Sequence, residues 1–321
     1  MKTKHLPIFF LLVCFPLAAY SQIYKTIQLP SGLTGPESFA FDCFGKGPYS
    51  GLSDGRIFKY QDPIRGWRPF AFTSPLRNSS FCDGTSNIDL AARCGRPIGL
   101  QFHKRTCELY VTDPYYGLLK VPRNGGRAIP LATSAQGIPF RFTNSLDVDS
   151  ENNVVYFTDS STRFEATEVV QIIQTGDSTG RFIKYDLRTN EVTVLRSGLM
   201  FADGVAISKE KDYVIVGEYS KNETLRYWLQ GPKANTSEFF ARTPGPPDNI
   251  NTNTKGEFWV ALNKNSTTAG EIIGVRIDED GQILQNLVGD GIVGSVSEVE
   301  ERKGFLLIGS VVKPFVGITT V

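Results

Sequence analysis

The sequence contains little histidine and almost no net charge, and both shortages exclude classes of function. Only two of the 321 residues are histidine, His5 and His103, and the first lies in an N-terminal segment that we expect to be removed. A hydrolytic dyad of two histidines is therefore excluded for the mature chain. The formal net charge is +1, so composition offers no electrostatic case for binding nucleic acid or an acidic membrane surface.

Two motifs that carry well-known chemistry are also missing. There is no P-loop. No cysteine pair has the spacing of a zinc finger. These absences exclude the commonest sequence signatures of nucleotide hydrolases and of zinc fingers.

The N-terminal segment has the features of a secretory signal. Lys2 and Lys4 precede an apolar run over residues 8–19, which is too short to span a membrane. Small residues follow, and cleavage is expected after Ser21. We therefore assign residues 1–21 to a signal peptide and expect a glycoprotein of the secretory pathway, vacuolar or extracellular. Four Asn-x-Ser/Thr sites are candidates for glycosylation: Asn78, Asn222, Asn235 and Asn265.

Four cysteines remain after the signal is removed. Cys82 and Cys94 flank a polar insertion, and we predict a disulfide that closes this loop. Cys43 and Cys107 fall near the turns of adjacent repeats, and a second bridge between them is left open.

A short sequence pattern recurs six times along the chain and predicts the fold. Each copy has a polar step, an apolar strand, a turn and a second apolar strand, and the copies begin 45 to 61 residues apart. This is close to the ~40–50 residues of a four-stranded propeller blade. We predict an all-β, six-bladed propeller over residues 22–321, without an internal domain boundary. The copies begin at Pro36, Pro97, Thr143, Ala202, Pro247 and Val296.

Two repeats are long and the last one is short. The first interval contains the Cys82–Cys94 insertion, and the third contains residues 164–177, which read as one short helix. The last repeat has room for three strands, so residues 23–29 are expected to supply its outer strand and close the ring.

Stacking the copies places one residue of each on the central axis. The second residues are Glu37, Ile98, Asn144, Asp203, Asp248 and Ser297. Buried carboxylates need compensation, and carboxylate and amide oxygens suit a divalent cation, calcium in preference to magnesium. Asn249 could add a further oxygen. The alternative is that these residues only cap turns through their own backbone.

Several segments resemble the plant strictosidine synthase-like family, among them GPYSGLSDGRIFKY, RCGRPIGLQFH, FTNSLDVD, VVYFTDSST and PGPPDNINTNTKGEFWVAL. The resemblance covers essentially the whole mature chain. It implies a six-bladed propeller of the secretory route, commonly of the vacuole. The family's namesake condenses tryptamine with secologanin in a Pictet–Spengler reaction of alkaloid biosynthesis, with a glutamate at the start of the last inner strand as acid and base. Here that position is Ser297, and Glu298 is one residue along, on the other side of the strand.

The axial residues also resemble those of calcium-dependent lactonases and esterases of the paraoxonase and gluconolactonase type. These propellers hold calcium with a Glu, Asn, Asn and Asp-Asn set. Glu37, Asn144 and Asp248-Asn249 match that pattern, whereas Asp203 stands where it usually has Asn. The resemblance implies a cation that polarises an ester carbonyl or activates water.

A base for such a reaction would have to be a carboxylate. Asp113, Asp159 and Glu218 are candidates at the ends of second strands, with Glu298 as a further one, although turn capping is the preferred explanation for the first three. Tyr115 and Tyr116, like Ser297, could line a substrate pocket, and packing between blades is the alternative for the tyrosines. His103 falls in a turn and is expected to be satisfied there.

Three hypotheses follow from the sequence. The first is a metal-dependent hydrolase of small esters or lactones. The second is an amine–aldehyde condensing enzyme, like the strictosidine synthases. The third is a non-catalytic secreted propeller that binds a small molecule. In each case the expected partner is a small molecule, with no nucleic acid and no membrane span, and the chain is expected to be a monomer.

Overall fold

The computed structural model describes residues 25–264 and 268–321. Within them six β-sheets form the blades of a propeller, numbered 1 to 6 along the chain. The first strands of successive blades lie next to one another around the axis. The predicted all-β, six-bladed fold is confirmed. The predicted signal peptide and Asn265 lie outside the described residues.

Blades 2 to 5 each contain four antiparallel strands, which run outward from the axis in chain order. Blade 2 consists of Gly99–Phe102, Leu109–Asp113, Gly117–Val121 and Ile129–Ala132. Blade 3 consists of Thr143–Asp149, Val154–Asp159, Gly180–Asp186 and Val192–Leu199. Blade 4 consists of Ala202–Ile207, Tyr213–Glu218, Glu223–Trp228 and Ser237–Arg242. Blade 5 consists of Pro247–Thr252, Phe258–Leu262, Ile272–Ile277 and Ile283–Val288.

Blade 6 closes the ring as predicted. Its three C-terminal strands are Val296–Arg302, Phe305–Ser310 and Phe315–Thr320. The N-terminal strand Lys25–Gln28 pairs with the last of them, in a register that sets Lys25 opposite Ile318. Because strands from near both ends of the described chain share one sheet, blade 6 is complete and the ring of blades is closed.

Blade 1 departs from the repeat pattern. Its strands are Tyr49–Gly51, Arg56–Tyr60, Trp67–Phe72 and the short Gly126–Arg127, which pairs in parallel with the third. The expected inner strand is reduced to one bridge between Ala40 and Tyr49. The residue before Tyr49 is Pro48, which has no backbone N–H to donate. The ladder of hydrogen bonds between these two segments therefore stops there.

Helical segments occur mainly in the two long intervals. The first interval carries Ser79–Cys82, Ile88–Leu90 and Ala91–Cys94, and the third carries Ala166–Glu168 and Val169–Thr175. The predicted helix within residues 164–177 is thus confirmed. Tyr219–Lys221 forms one further 3-10 turn, and Ser134–Ala135 with Ile138–Pro139 forms a small hairpin.

The hydrophobic core is divided among the interfaces between blades. Each pair of neighbouring blades encloses one cluster of buried side chains, and the sixth cluster joins Leu307 and Val316 of blade 6 to Phe58 of blade 1. A seventh cluster, around Phe142 and Phe201, lies outside these interfaces.

Both cysteine pairs are joined. Cys82 and Cys94 form the predicted disulfide that closes the first insertion. Cys43 and Cys107 form the second bridge, which links blades 1 and 2. The predicted glycosylation sites Asn78, Asn222 and Asn235 are exposed. Among the described residues, no helix is long and apolar enough to cross a membrane.

Candidate functional site

The inner strands share a bulge at their starting residues. The pairing register shifts around Asn144 in blade 3, Asp203 in blade 4, Asp248 in blade 5 and Ser297 in blade 6. A bulge leaves one residue out of the ladder and redirects its side chain. The sequence repeat therefore carries a repeated distortion at the position predicted to meet on the axis.

A cavity of about 590 Å³ opens at this end of the axis. Five of the six stacked residues line it, and they are Glu37, Ile98, Asn144, Asp203 and Asp248. The sixth, Ser297, is fully buried beside it, and its hydroxyl donates to the carbonyl oxygen of Glu37 at 2.8 Å. The structure thus brings the predicted axial residues together at the floor of one cavity.

The wall of the cavity is apolar. It is built from the seventh cluster, in which Phe142 and Phe201 pack with the helix of the third interval. The Phe201 ring stacks on Tyr219, with centroids 4.6 Å apart. A polar floor beneath an apolar wall suits a small ligand with one polar and one apolar part.

Three buried carboxylates, which we call the axial carboxylates, dominate the floor: Glu37, Asp203 and Asp248. Burial raises the pKa of Glu37 to about 7, against a smaller opposite effect of Arg96. Burial also raises the pKa of Asp203, and its neighbours Asp248 and Glu37 raise it further. The pKa of Asp248 is raised by burial and then by Glu37. The one ion pair at the described floor joins Arg96 Nη2 to Glu37 Oε2 at 3.6 Å.

The hydrogen bonds at the floor leave oxygen atoms available. Asp248 accepts from the backbone N–H of Asn249 at 2.9 Å and from Asn263 Nδ2 at 2.7 Å. Asn144 Nδ2 donates to Ser160 Oγ at 3.1 Å, so its amide oxygen remains for a ligand. Asp203 Oδ1 is buried and has no partner. An orphaned buried carboxylate oxygen is costly unless a ligand satisfies it.

The donor chemistry of this floor fits a divalent cation, because carboxylate and amide oxygens are the ligands that calcium prefers. Across residues 25–264 and 268–321, however, no group of three or more His, Cys, Asp or Glu side chains is arranged as a metal site. The cation therefore stays a prediction that rests on the donor atoms and on the unpartnered oxygen of Asp203.

Asn249 and Glu298 face a different space. Both line a narrow gap of about 20 Å³ on the axis, beyond the floor of the cavity. Asn249 Nδ2 has no partner there, whereas Glu298 accepts from Asn251 Nδ2 at 2.6 Å. Burial raises the pKa of Glu298 well above its ordinary value. Neither residue therefore lines the cavity. Glu298 lies on the opposite face of its strand from Ser297, as the alternation of side chains along a strand predicts.

The remaining candidate bases, Asp113, Asp159 and Glu218, cap segments of backbone and are called the capping carboxylates. Asp113 accepts from the backbone N–H of Arg96 at 2.7 Å, and Asp159 from that of Phe142 at 3.0 Å. Glu218 accepts from the N–H of Met200 at 3.0 Å. The three carboxylates do not line the cavity. Their hydrogen bonds hold the backbone of segments whose side chains form its wall, as the capping interpretation predicts.

The other predicted pocket residues also lie outside the lining. The Tyr116 hydroxyl is 2.8 Å from Ser74 Oγ, and its ring packs against the cluster between blades 1 and 2. Tyr115 follows the turn at Pro114, which itself lines the cavity. His103 Nδ1 accepts from two backbone N–H groups within its turn, as expected for a satisfied turn histidine.

Sequence reasoning missed the second layer of the cavity. Arg96, Phe142, Phe201 and Ser295 all line it, and each stands immediately before the start of a repeat copy. Stacking that preceding position in the same way as the axial one would have found all four. Asn263 was missed because it lies at a second-strand end, where the other blades carry capping residues.

Comparison with known proteins identifies the relatives of this chain. Residues 144–232 match the family model described as strictosidine synthase. Protein STRICTOSIDINE SYNTHASE-LIKE 10 of Arabidopsis thaliana is 44% identical over 92% of this chain and 87% of its own length. Protein STRICTOSIDINE SYNTHASE-LIKE 11 of the same plant is 41% identical over 94% of this chain and 93% of its own length.

Solved structures share the fold at much lower identity. A gluconolactonase of Xanthomonas campestris superposes with a TM-score of 0.67 at 14% identity, over 93% of this chain and 89% of that one. A calcium-binding protein, regucalcin, of Agrobacterium tumefaciens gives 0.65 at 12% identity, over 94% of each chain. These likenesses support the propeller and nothing finer. By its sequence relatives, the chain belongs to the strictosidine synthase-like family.

Proposed function

We propose that the protein is a hydrolase of small, uncharged esters or lactones that works with one divalent cation at the floor of the cavity. The observation that carries the proposal is the unpartnered Oδ1 of Asp203, which lies buried among two further carboxylates and an amide. An arrangement of this kind is unfavourable by itself and favourable around a cation. The shared fold by itself favours no particular activity, because one fold hosts many.

Four residues would hold the cation: Glu37, Asn144, Asp203 and Asp248. When bound, a calcium or magnesium ion supplies a positive charge that polarises an ester carbonyl and stabilises the oxyanion. Asn263 and Ser160 position two of these side chains through the hydrogen bonds at 2.7 and 3.1 Å. Such supporting bonds orient the ligand atoms before substrate arrives.

The chain must also accept the proton of the attacking water. Histidine is not available at the floor, since His103 is held within its turn. Asp203 is the candidate, because it adds a carboxylate where the lactonase-type pattern has an amide: its Oδ1 would contact the cation, and its second oxygen would accept the proton. Water would add to the carbonyl carbon and give its proton to the second carboxylate oxygen of Asp203, which would return it to the departing alkoxide oxygen as the acyl–oxygen bond breaks, so that an acid and an alcohol leave.

The test is a hydrolase assay on short esters and lactones with and without a chelator. Chelation is expected to abolish turnover, and added calcium is expected to restore it. Asp248→Ala should lower kcat/KM by at least about a hundredfold, whereas Glu151→Ala, on an exposed turn, should leave it unchanged. Activity that survives both chelation and Asp248→Ala would refute the proposal.

One observation favours condensation of an amine with an aldehyde as a second candidate. The bond from Ser297 to the carbonyl of Glu37 places Glu37 beside the position of the family's catalytic glutamate. Its pKa of about 7 suits a group that both donates and accepts protons near neutrality. Product formation from tryptamine and an aldehyde that persists in chelator and is lost in Glu37→Gln would favour this candidate over hydrolysis.

A further inference from the structure

The mouth of the cavity exposes apolar side chains that the blades do not need. Ile88, Val170 and Val312 all line the cavity, yet they are 54%, 60% and 54% exposed. Exposed apolar groups are unremarkable when scattered singly, but a set around one opening indicates an apolar ligand or partner. We call these three residues the rim.

The rim comes from three separate segments. Ile88 begins the 3-10 helix Ile88–Leu90 inside the insertion closed by the Cys82–Cys94 disulfide. Val170 lies on the helix Val169–Thr175, and Val312 follows the second strand of blade 6. Two insertions that the propeller repeat does not require therefore extend the apolar wall outward from the axis.

The wall beneath the rim is continuous and apolar. Ile98, Phe142 and Phe201 are buried in one cluster. Ile172, on the same helix as Val170, is fully buried in that cluster. The polar groups are confined to the floor. A ligand that satisfies both parts has a polar head at the axial carboxylates and an apolar chain that runs up the wall to the rim.

We propose that the substrates are esters or lactones with an extended alkyl or acyl chain, and that the rim selects for chain length. This inference rests on the proposed hydrolase function. It commits to the chain of the substrate as the group that covers the rim, because the rim residues line the same cavity as the reactive floor and the volume of about 590 Å³ lies in the range of small-molecule sites.

The expected dependence on chain length follows from apolar burial. Each methylene that leaves water for the cavity should raise kcat/KM by about threefold to fourfold. The increase should continue while the chain lies against the wall and level off once it extends past the rim.

The experiment measures kcat/KM for p-nitrophenyl esters from acetate to decanoate on wild type, Val170→Asp and Ile283→Asp. Ile283 is the matched control, since it is 43% exposed on the outer strand of blade 5, away from the cavity. Val170→Asp is expected to reduce decanoate turnover by about tenfold and to leave acetate turnover unchanged, while Ile283→Asp changes neither. A flat chain-length profile in wild type would overturn the inference and leave the hydrolase proposal standing.

A binding measurement separates the inference from the reaction. Calorimetric titration with 1-hexanol and 1-octanol needs no turnover, and tighter binding of octanol that Val170→Asp removes would support the rim even if no ester were hydrolysed. Equal or undetectable binding of the two alcohols would overturn it. A dimer that Val170→Asp dissociates, without a chain-length effect, would also overturn it by assigning the rim to self-association.

Discussion

The axial carboxylates and the capping carboxylates are two sets of three buried acids at recurring positions of the same repeat. Their burial is similar: Asp203 is 2% exposed and Asp159 is 0% exposed. Their partners differ. Asp159 binds the Arg181 guanidinium through Nη2 at 2.6 Å and Nε at 3.1 Å, whereas Asp203 Oδ1 binds nothing.

The difference shows that burial alone does not identify a functional acid in this propeller. A capping carboxylate is stabilised by donors that the fold itself supplies, so it completes the structure. Glu37 raises the pKa of Asp203 and of Asp248, and Asp248 raises that of Asp203 further, so these charges destabilise the folded state until a ligand compensates them. Buried charged groups that destabilise the folded state in the absence of a ligand are candidates for a functional role.

The largest difference between the two sets is expected when one member of each is replaced. Asp159→Ala leaves the Arg181 guanidinium buried without its carboxylate, and the expected loss of unfolding free energy is about 3–5 kcal/mol. Asp203→Asn removes a repelled charge, so in chelator it should unfold at the same or a higher denaturant concentration than wild type. Guanidinium unfolding of both variants is the measurement. Comparable destabilisation by the two substitutions would contradict the distinction.

The second prediction concerns pH. The folded-state pKa of Glu37 is about 7, above its ordinary value of 4.5, so the folded protein holds a proton that the unfolded chain has released. This contribution to stability is complete below pH 4.5 and is lost as pH rises through 7. In chelator the loss should amount to about 3 kcal/mol.

Unfolding measured in chelator between pH 4.5 and 8 tests this sign. Glu37→Gln should make this fall shallower than in wild type, because the glutamine does not titrate while Asp203, Asp248 and Glu300 still do. Wild-type stability that rises over this interval by a similar amount would contradict a Glu37 carboxyl whose pKa is raised by burial.

A smaller effect is expected from the support of Asp248. Asn263→Ala removes the 2.7 Å hydrogen bond to Asp248 Oδ2, and the affinity for calcium should fall about tenfold. Asn286→Ala, on an exposed strand of blade 5, should leave calcium affinity unchanged. An unaltered affinity in Asn263→Ala would show that Asp248 needs no positioning.

The sequence was sufficient for the architecture and for the axial set because both follow from the repeat. Stacking six copies located Glu37, Asn144, Asp203 and Asp248 at one cavity. The same stacking could not give the direction of Asn249, which the bulge in blade 5 turns toward the narrow axial gap. A bulge changes which face a side chain occupies without changing its position in the repeat.

The partners of the acids were also beyond the sequence. Thr73, which donates to Asp113 at 2.5 Å, is 40 residues away, and Arg181, which binds Asp159, is 22 residues away. Such hydrogen-bonded pairs depend on how the blades and insertions pack together, so no local sequence pattern predicts them. Blade 1 shows a similar limit of prediction from sequence. Its copy of the repeat pattern is complete, yet its inner strand is reduced to one bridge.

The most direct test of the central claim is a calorimetric titration of calcium into metal-free protein. The account predicts one site per chain in wild type and none in Asp248→Ala, with circular dichroism to confirm that the variant is folded. Binding absent from wild type for both calcium and magnesium, or binding retained in Asp248→Ala, would contradict a cation held by the axial carboxylates.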